Sequence, residues 1–348
     1  MKLTAAGILI AFASCLWAGV ASAQITVEPQ ALRIVPKQSV TVPARRMLIY
    51  ELGTYDSGEA VGAEVHVENA YYKDLSAYVV DATNMALARQ NLAFKSLAGV
   101  TKRKAPFRLM ARINALGPYY LVLDNRYANF ISKKVIYQVA GIKHLSQQQV
   151  EAIRAPLTRA YADLKRTFVF KDFNIHIRHC GQVNAFSTTA TGDITLCTEI
   201  FQDLAAQPGA MTAVFFHELG HTLLNLWGYP DYQNEDVADE FAVTMMLRFG
   251  GEQGKQAISE WMDWFAKRNS RAEAANMLVN GDTHSLSVQR IRNIQRYVTN
   301  SSDLMRRWDT ILYPHMTRRA LAAVVSHPAS YDDVGAAKRA LAMRQSAQ

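Results

Sequence analysis

Two hydrophobic rhythms follow one another along the chain. As far as about residue 140, short segments alternate apolar and polar residues, which places successive side chains on opposite faces of a strand. The segments are 32–35, 39–42, 46–52, 63–67, 76–80, 107–113, 119–123 and 134–139, punctuated by Gly, Pro, Asp and Asn. Eight short strands with no long helix between them predict an antiparallel β-sandwich over residues 24–142. A short linker near Gly141 leads to a helical rhythm. Ser146-x-x-Gln149 reads as a capping box, and Val150, Ile153, Leu157, Tyr161 and Leu164 line one face of a helix to about residue 166. Strands at 173–177 and 193–196 precede further helices, including one over 257–267 with Ile258, Trp261, Met262 and Phe265 as its apolar stripe. Residues 143–348 therefore read as a second domain, mostly helical in its C-terminal half, and the whole chain as α+β.

Ahead of both rhythms lies a continuous apolar run. Lys2, the run from Leu3 to Val20 and the small residues Ala21-Ser22-Ala23 have the form of a signal peptide over residues 1–23, ending before Gln24. The expectation is export, to the periplasm or the extracellular space, with no stable membrane span after cleavage. Of the three cysteines, signal removal takes Cys15 and leaves Cys180 and Cys197. An even pair in an oxidising compartment suggests one disulfide. The net charge of +8 is a mild basic bias. No basic stripe interleaved with aromatics appears, which argues against nucleic acid and leaves an acidic cell-envelope surface as the natural counter-charge. Phosphate-binding Gly-rich loops, dinucleotide fingerprints and Gly-x-Ser-x-Gly are absent from the sequence.

The chemistry concentrates in His217-Glu218-Leu219-Gly220-His221, set in an apolar helical run. Residues i and i+4 of a helix lie about 40° apart around its axis, so both imidazoles can face one small cation. Glu218 reaches water on that metal without ligating it. This is the arrangement in which Zn²⁺ and a carboxylate together activate water for hydrolysis. A tetrahedral catalytic site needs a third protein ligand. Past the turn at Gly228-Tyr229-Pro230, Asn234 caps a helix read to about residue 249. Its apolar stripe is Ala238, Phe241, Ala242, Met245, Met246 and Phe249. Glu235 lies on that line, Asp239 lies at its edge, and Asp236 and Glu240 face the far side, toward solvent. Glu235 is therefore the expected third ligand, and Asp239 the group that holds a ligand histidine by its other ring nitrogen. An acidic cluster favoured by the helix dipole is the competing reading.

His-Glu-x-x-His followed by Glu-x-x-x-Asp resembles the gluzincins, the zinc-peptidase group that includes thermolysin. The match is closer to an exported bacterial metallopeptidase domain family, over about residues 145–300. It is carried by Cys180-Gly181-x-x-Asn184-Ala185-Phe186, Ile194-Thr195-Leu196-Cys197-x-Glu199, His217–His221, Glu235-Asp236-x-Ala238-Asp239-x-Phe241-Ala242 and Asp282-x-His284-Ser285-Leu286-x-x-x-Arg290. The short spacing from His221 to Glu235 departs from thermolysin and fits the exported family. The resemblance implies a zincin-like catalytic domain with one Zn²⁺ per chain and a peptide or protein substrate. It also implies contact between Asn184 and Ala185 and the substrate backbone, with capping of the cysteine loop as the other reading of Asn184. His284 is the first candidate to stabilise the oxyanion, with Tyr232 and Arg290 behind it, although an ion pair is the preferred reading of Arg290. Residues 117–125 resemble a strand and turn of the jelly-roll domains attached to secreted proteases. The expected function is a secreted or periplasmic zinc metallopeptidase. The alternatives are a zinc-containing but proteolytically silent binding protein and a zinc amidase acting on cell-wall crosslinks.

Overall fold

A computed structural model describes residues 24–69, 71–267 and 287–346; residues 1–23, expected to be a signal peptide, lie outside these. The chain divides into two compact units, Pro29–Leu145 and the remainder. The class is α+β, as the two rhythms predict.

The described residues of the first unit hold nine strands: β2 Gln30–Ile34, β3 Gln38–Val42, β4 Met47–Tyr55, β5 Ala60–Val67, β6 Asp74–Asp81, β7 Ala98–Lys104, β8 Phe107–Arg112, β9 Gly117–Asp124 and β10 Lys133–His144. They form two antiparallel sheets, β2-β10-β5-β8 with β3 also on β10, and β4-β9-β6-β7. This strand order is that of a jelly roll. The two inner faces share one core, in which Val61, Val65, Leu75, Leu121 and Val135 are wholly buried. Alternation is plain in β8, where Phe107, Leu109 and Ala111 point in and Arg108, Met110 and Arg112 point out.

All eight expected strands are present, most of them extended by one to a few residues. Two elements carried no such signal. β7 is an edge strand whose second half, Thr101-Lys102-Arg103-Lys104, is exposed on both faces, so it shows no alternation. Helix α1, Ala82–Arg89, is short and capped by the side chain of Asp81.

In the second unit, residues 24–28 do not join the sandwich as expected. Strand β1, Ile25–Val27, pairs in parallel with β11, Ile175–Arg178. β11 pairs in parallel with β13, Ile194–Cys197, and β12, Ala185–Ser187, closes the edge antiparallel to β13. The apolar face of this sheet, Ile175, Ile177, Ile194 and Leu196, is fully buried.

Helix α2, Gln147–Thr167, has both bonds of the Ser146/Gln149 capping box and buries Leu157, Tyr161 and Leu164. After the short α3, Thr198–Asp203, come α4, Pro208–Leu226, and α5, Glu235–Ala266. The helices expected at 234–249 and 257–267 are both within α5, with a break at Gly251, whose φ of 53° suits a residue without Cβ. α6 Ser287–Thr299, α7 Ser301–Leu312, α8 Arg318–Ser326 and α9 Val334–Ser346 follow. Cys180 and Cys197 form a disulfide, tying the β11–β12 connection to the end of β13.

Candidate metal centre

Helix α4 is apolar nearly all round and buried from Ala210 to Gly220, as expected of a helix covered on every side. It places His217 and Glu218 in the interior, 4% and 5% exposed. α5 starts just after the turn, where the Asn234 side chain accepts from the N–H groups of Asp236 and Val237. The two helices approach closely at Gly220. A Cβ there would stand 3.1 Å from the Phe241 ring and 3.3 Å from the Ala238 Cα. This close approach brings the first turn of α5 against the histidines of α4.

His217 Nε2 lies 3.2 Å from His221 Nε2 and 3.1 Å from Glu235 Oε2, and His221 Nε2 lies 3.5 Å from Glu235 Oε1. Ligand bonds of about 2.0–2.1 Å give a tetrahedron with edges of about 3.3 Å, so the two Nε2 atoms and the facing carboxylate are close enough to hold one small cation between them. The opposite ring nitrogens are both engaged. His221 Nδ1–H donates to the Tyr232 carbonyl at 2.6 Å, and His217 Nδ1 stands 2.8 Å from Asp239 Oδ1. Donation at Nδ1 leaves each Nε2 lone pair facing the common centre.

Asp239 is wholly buried and is also gripped by Arg290 of α6, whose Nε donates to Oδ2 at 2.8 Å and whose Nη2 donates to Oδ1. The guanidinium lies over the Phe265 and Trp261 rings, with centroids 4.5 and 5.7 Å away. Burial pushes the Asp239 pKa up, but the Arg290 charge and the bonds from His217 and Arg290 outweigh it and hold the carboxylate below its ordinary range. For His217, burial and the Arg290 charge push down, while the bonds to Asp239 and Glu235 push up by more, to about 9. A proton and a divalent cation compete for that imidazole, and a set of two imidazoles and a carboxylate suits a borderline cation such as Zn²⁺. Glu218 is close enough that its charge raises the Arg290 pKa.

Other expectations fare differently. Asp236 and Glu240 do not face open solvent, because α6 and α7 cover that side of α5. Asn293 donates to Asp236 at 3.0 Å, and Arg307 and Trp308 donate to Glu240 at 2.6 and 3.3 Å. Arg290 forms a buried ion pair, the preferred reading of that residue. Tyr232 serves the site with its carbonyl. His284 lies outside the described residues. Asn184 accepts the Cys197 N–H with its carbonyl at 3.1 Å, and Ala185 opens β12. A second potential donor cluster is Cys180, Cys197 and Glu199, but its sulfurs are joined to each other.

Thr222 gives no sign of its role in the sequence pattern. Its hydroxyl donates to the Gly192 carbonyl at 2.9 Å and accepts from Ser187 at 2.8 Å, which binds α4 to edge strand β12. Only the fold brings these three together.

Two imidazoles and a carboxylate thus form a candidate metal site in an α+β unit. Residues 142–303 match the model of the family described as "Putative metallopeptidase", which bears out the family resemblance of the five motifs and implies a hydrolase that takes protein substrates and uses a metal. No curated protein matches the chain. Similar solved structures include PliG from Aeromonas hydrophila, a periplasmic inhibitor of g-type lysozyme, at 13% identity and a TM-score of 0.23, covering 34% of this chain and 99% of that one. IMPa metallopeptidase from Pseudomonas aeruginosa matches at 13% identity and a TM-score of 0.22, over 90% of this chain and 45% of its own, so this chain spans less than half of its length.

Proposed function

We propose that the chain is an exported zinc-dependent peptidase in which His217, His221 and Glu235 hold the metal. The observation that carries the reading is the convergence of the two imidazole Nε2 atoms, 3.2 Å apart, on the Glu235 carboxylate, whose oxygens lie 3.1 and 3.5 Å from them, with each imidazole backed at its far nitrogen. Zinc, when bound, supplies a Lewis acid that polarises the scissile carbonyl and acidifies adjacent water. Glu218, next to His217 on α4, takes the proton from the attacking water and returns it to the leaving amine. Asp239 fixes the His217 tautomer, and Arg290 keeps Asp239 ionised. Strand β12 has one edge without a strand partner among the described residues, which supports pairing with an extended substrate there, with Asn184 just before it and Ala185 at its start. His284 is the proposed oxyanion donor. The disulfide fits an oxidising compartment and so supports export, and no helix among the described residues is long and apolar enough to cross a membrane.

Metal content and peptide cleavage of wild type, Glu235→Ala and Glu218→Gln test the reading. About one zinc per chain in the wild type is expected, with clear loss in Glu235→Ala. Glu218→Gln is expected to keep the zinc and lose cleavage by about 10²–10⁴-fold. A wild type that binds no zinc, or full cleavage by Glu218→Gln, overturns it. Unchanged zinc in Glu235→Ala moves the third ligand elsewhere.

A further inference from the structure

The chain's whole charge excess lies in one unit. Pro29–Leu145 carries sixteen Lys and Arg against eight Asp and Glu, a net +8, while the rest of the chain has twenty-two of each. Within the jelly roll, the excess is concentrated at one end. The registers Lys133↔Val42, Val135↔Val67, Met47↔Asp124 and Asp74↔Lys104 bring the β3–β4, β5–β6, β7–β8 and β9–β10 connections together there. Asn69 donates to the Ser132 carbonyl at 3.0 Å, and the Arg45 N–H donates to the Ala128 carbonyl at 3.0 Å, linking neighbouring loops. The chain enters and leaves the sandwich at the opposite end, where the Leu145 N–H donates to the Pro29 carbonyl at 2.8 Å.

The three carboxylates of this loop end already have partners: Glu68 with Lys134, Asp74 with Lys133, and Asp124 with Arg126. Arg45, Arg46, Lys73, Lys102, Arg103 and Lys104 have no carboxylate at ion-pair distance among the described residues, and all but Lys73 are exposed. Among them project two rings, Tyr71 at 89% and Phe130 at 87% exposure, with the Arg45 guanidinium 5.9 Å from the Phe130 ring. A phenyl ring has no hydrogen-bonding atom, so its exposure at a loop tip gains nothing from water. Unpaired cations around projecting aromatics match the interface of an anionic bilayer, where cations meet phosphate headgroups and rings enter the boundary with the acyl chains. A soluble acidic polymer would answer the charges and leave Phe130 in water.

We propose that the loop end of the sandwich docks on an anionic phospholipid surface, with these six cations on the headgroups and Tyr71 and Phe130 in the interface. The proposal is independent of the chemistry at the metal centre. The test is sedimentation of the chain beginning at Gln24 with phosphatidylcholine vesicles, with and without about 30% phosphatidylglycerol, at roughly 0.05 M and 0.5 M salt.

Binding is expected only to the anionic vesicles, and weaker at high salt. Each surface cation contributes about fivefold, so the triple variant Lys102→Glu/Arg103→Glu/Lys104→Glu should bind at least about 100-fold more weakly. These positions are exposed, and an unchanged circular dichroism spectrum and melting midpoint confirm the variant is folded. Phe130→Trp in an otherwise native chain should add a fluorescence component that shifts to the blue on vesicles and is quenched by brominated lipid. No binding to anionic vesicles at low salt, or equal binding by the folded triple variant, overturns the proposal. Capture by soluble heparin, with no vesicle-induced shift in the fluorescence that Phe130→Trp adds, also overturns it, in favour of an acidic polymer.

Discussion

At Asp239 a single carboxylate serves two buried partners, the His217 imidazole and the Arg290 guanidinium. Asp239→Asn keeps the shape but removes the charge, leaving Arg290 buried and uncompensated. We expect zinc affinity to fall about 10–100-fold by competition titration, with stability lower by about 3–5 kcal/mol in denaturant melts. Asp74 offers a test of pH dependence in the sandwich. Burial pushes its pKa up, but the bond from the buried Lys133 ammonium, with others, outweighs this and holds it below the usual carboxylate range. A carboxylate lowered on folding contributes stability fully above its unfolded value, about 4, and loses it as pH falls through the lower folded value. Acid melts should therefore show a step below about pH 4 that is absent in Asp74→Asn. Helix arithmetic alone separated Glu235 and Asp239 from Asp236 and Glu240, since angle around an axis can be read from numbering. What covers the far side of that helix could not be read this way: Arg290 lies 51 positions beyond Asp239, and Asn293 lies 57 beyond Asp236.

Two helices carry the candidate metal ligands, and they approach closely at Gly220. Gly220→Ala would gain about 1 kcal/mol of helix propensity, while the added methyl meets Phe241 and the Ala238 backbone in a packed core, at about 1–3 kcal/mol. The clash wins, because backbone cannot swing aside as a flexible side chain would. We expect a net loss of roughly 1–2 kcal/mol by thermal melting, and weaker zinc binding as Glu235 moves off the histidines. The same α4 and α5 were visible in the sequence through apolar spacing and the Asn234 cap. Strand β7 was not, because its second half, exposed on both faces, has no buried side to enforce alternation. Strand β1 was missed for another reason: three residues are too few to show a period, and their partner lies 150 positions away.

For the whole molecule, the division into two units predicts that their stabilities are separable. A ligand at about 1,000 times its Kd stabilises the unit that binds it by about 4 kcal/mol. For a unit of about 200 residues this is a shift near 10 °C. Chelation followed by calorimetry should therefore lower one transition by roughly that amount and leave the sandwich transition in place. Coincident shifts of both transitions would show that the units unfold together.

The sandwich is also an insertion. Its ends meet at Pro29 and Leu145, and the sheet of the other unit takes β1 from before it and β11 from after it. During synthesis β1 is made first, and 117 residues of jelly roll follow before its partner strand exists. The earliest strand of that unit therefore cannot pair until the whole sandwich has been made, and neither can the two helices that carry His217, His221 and Glu235 come together before then.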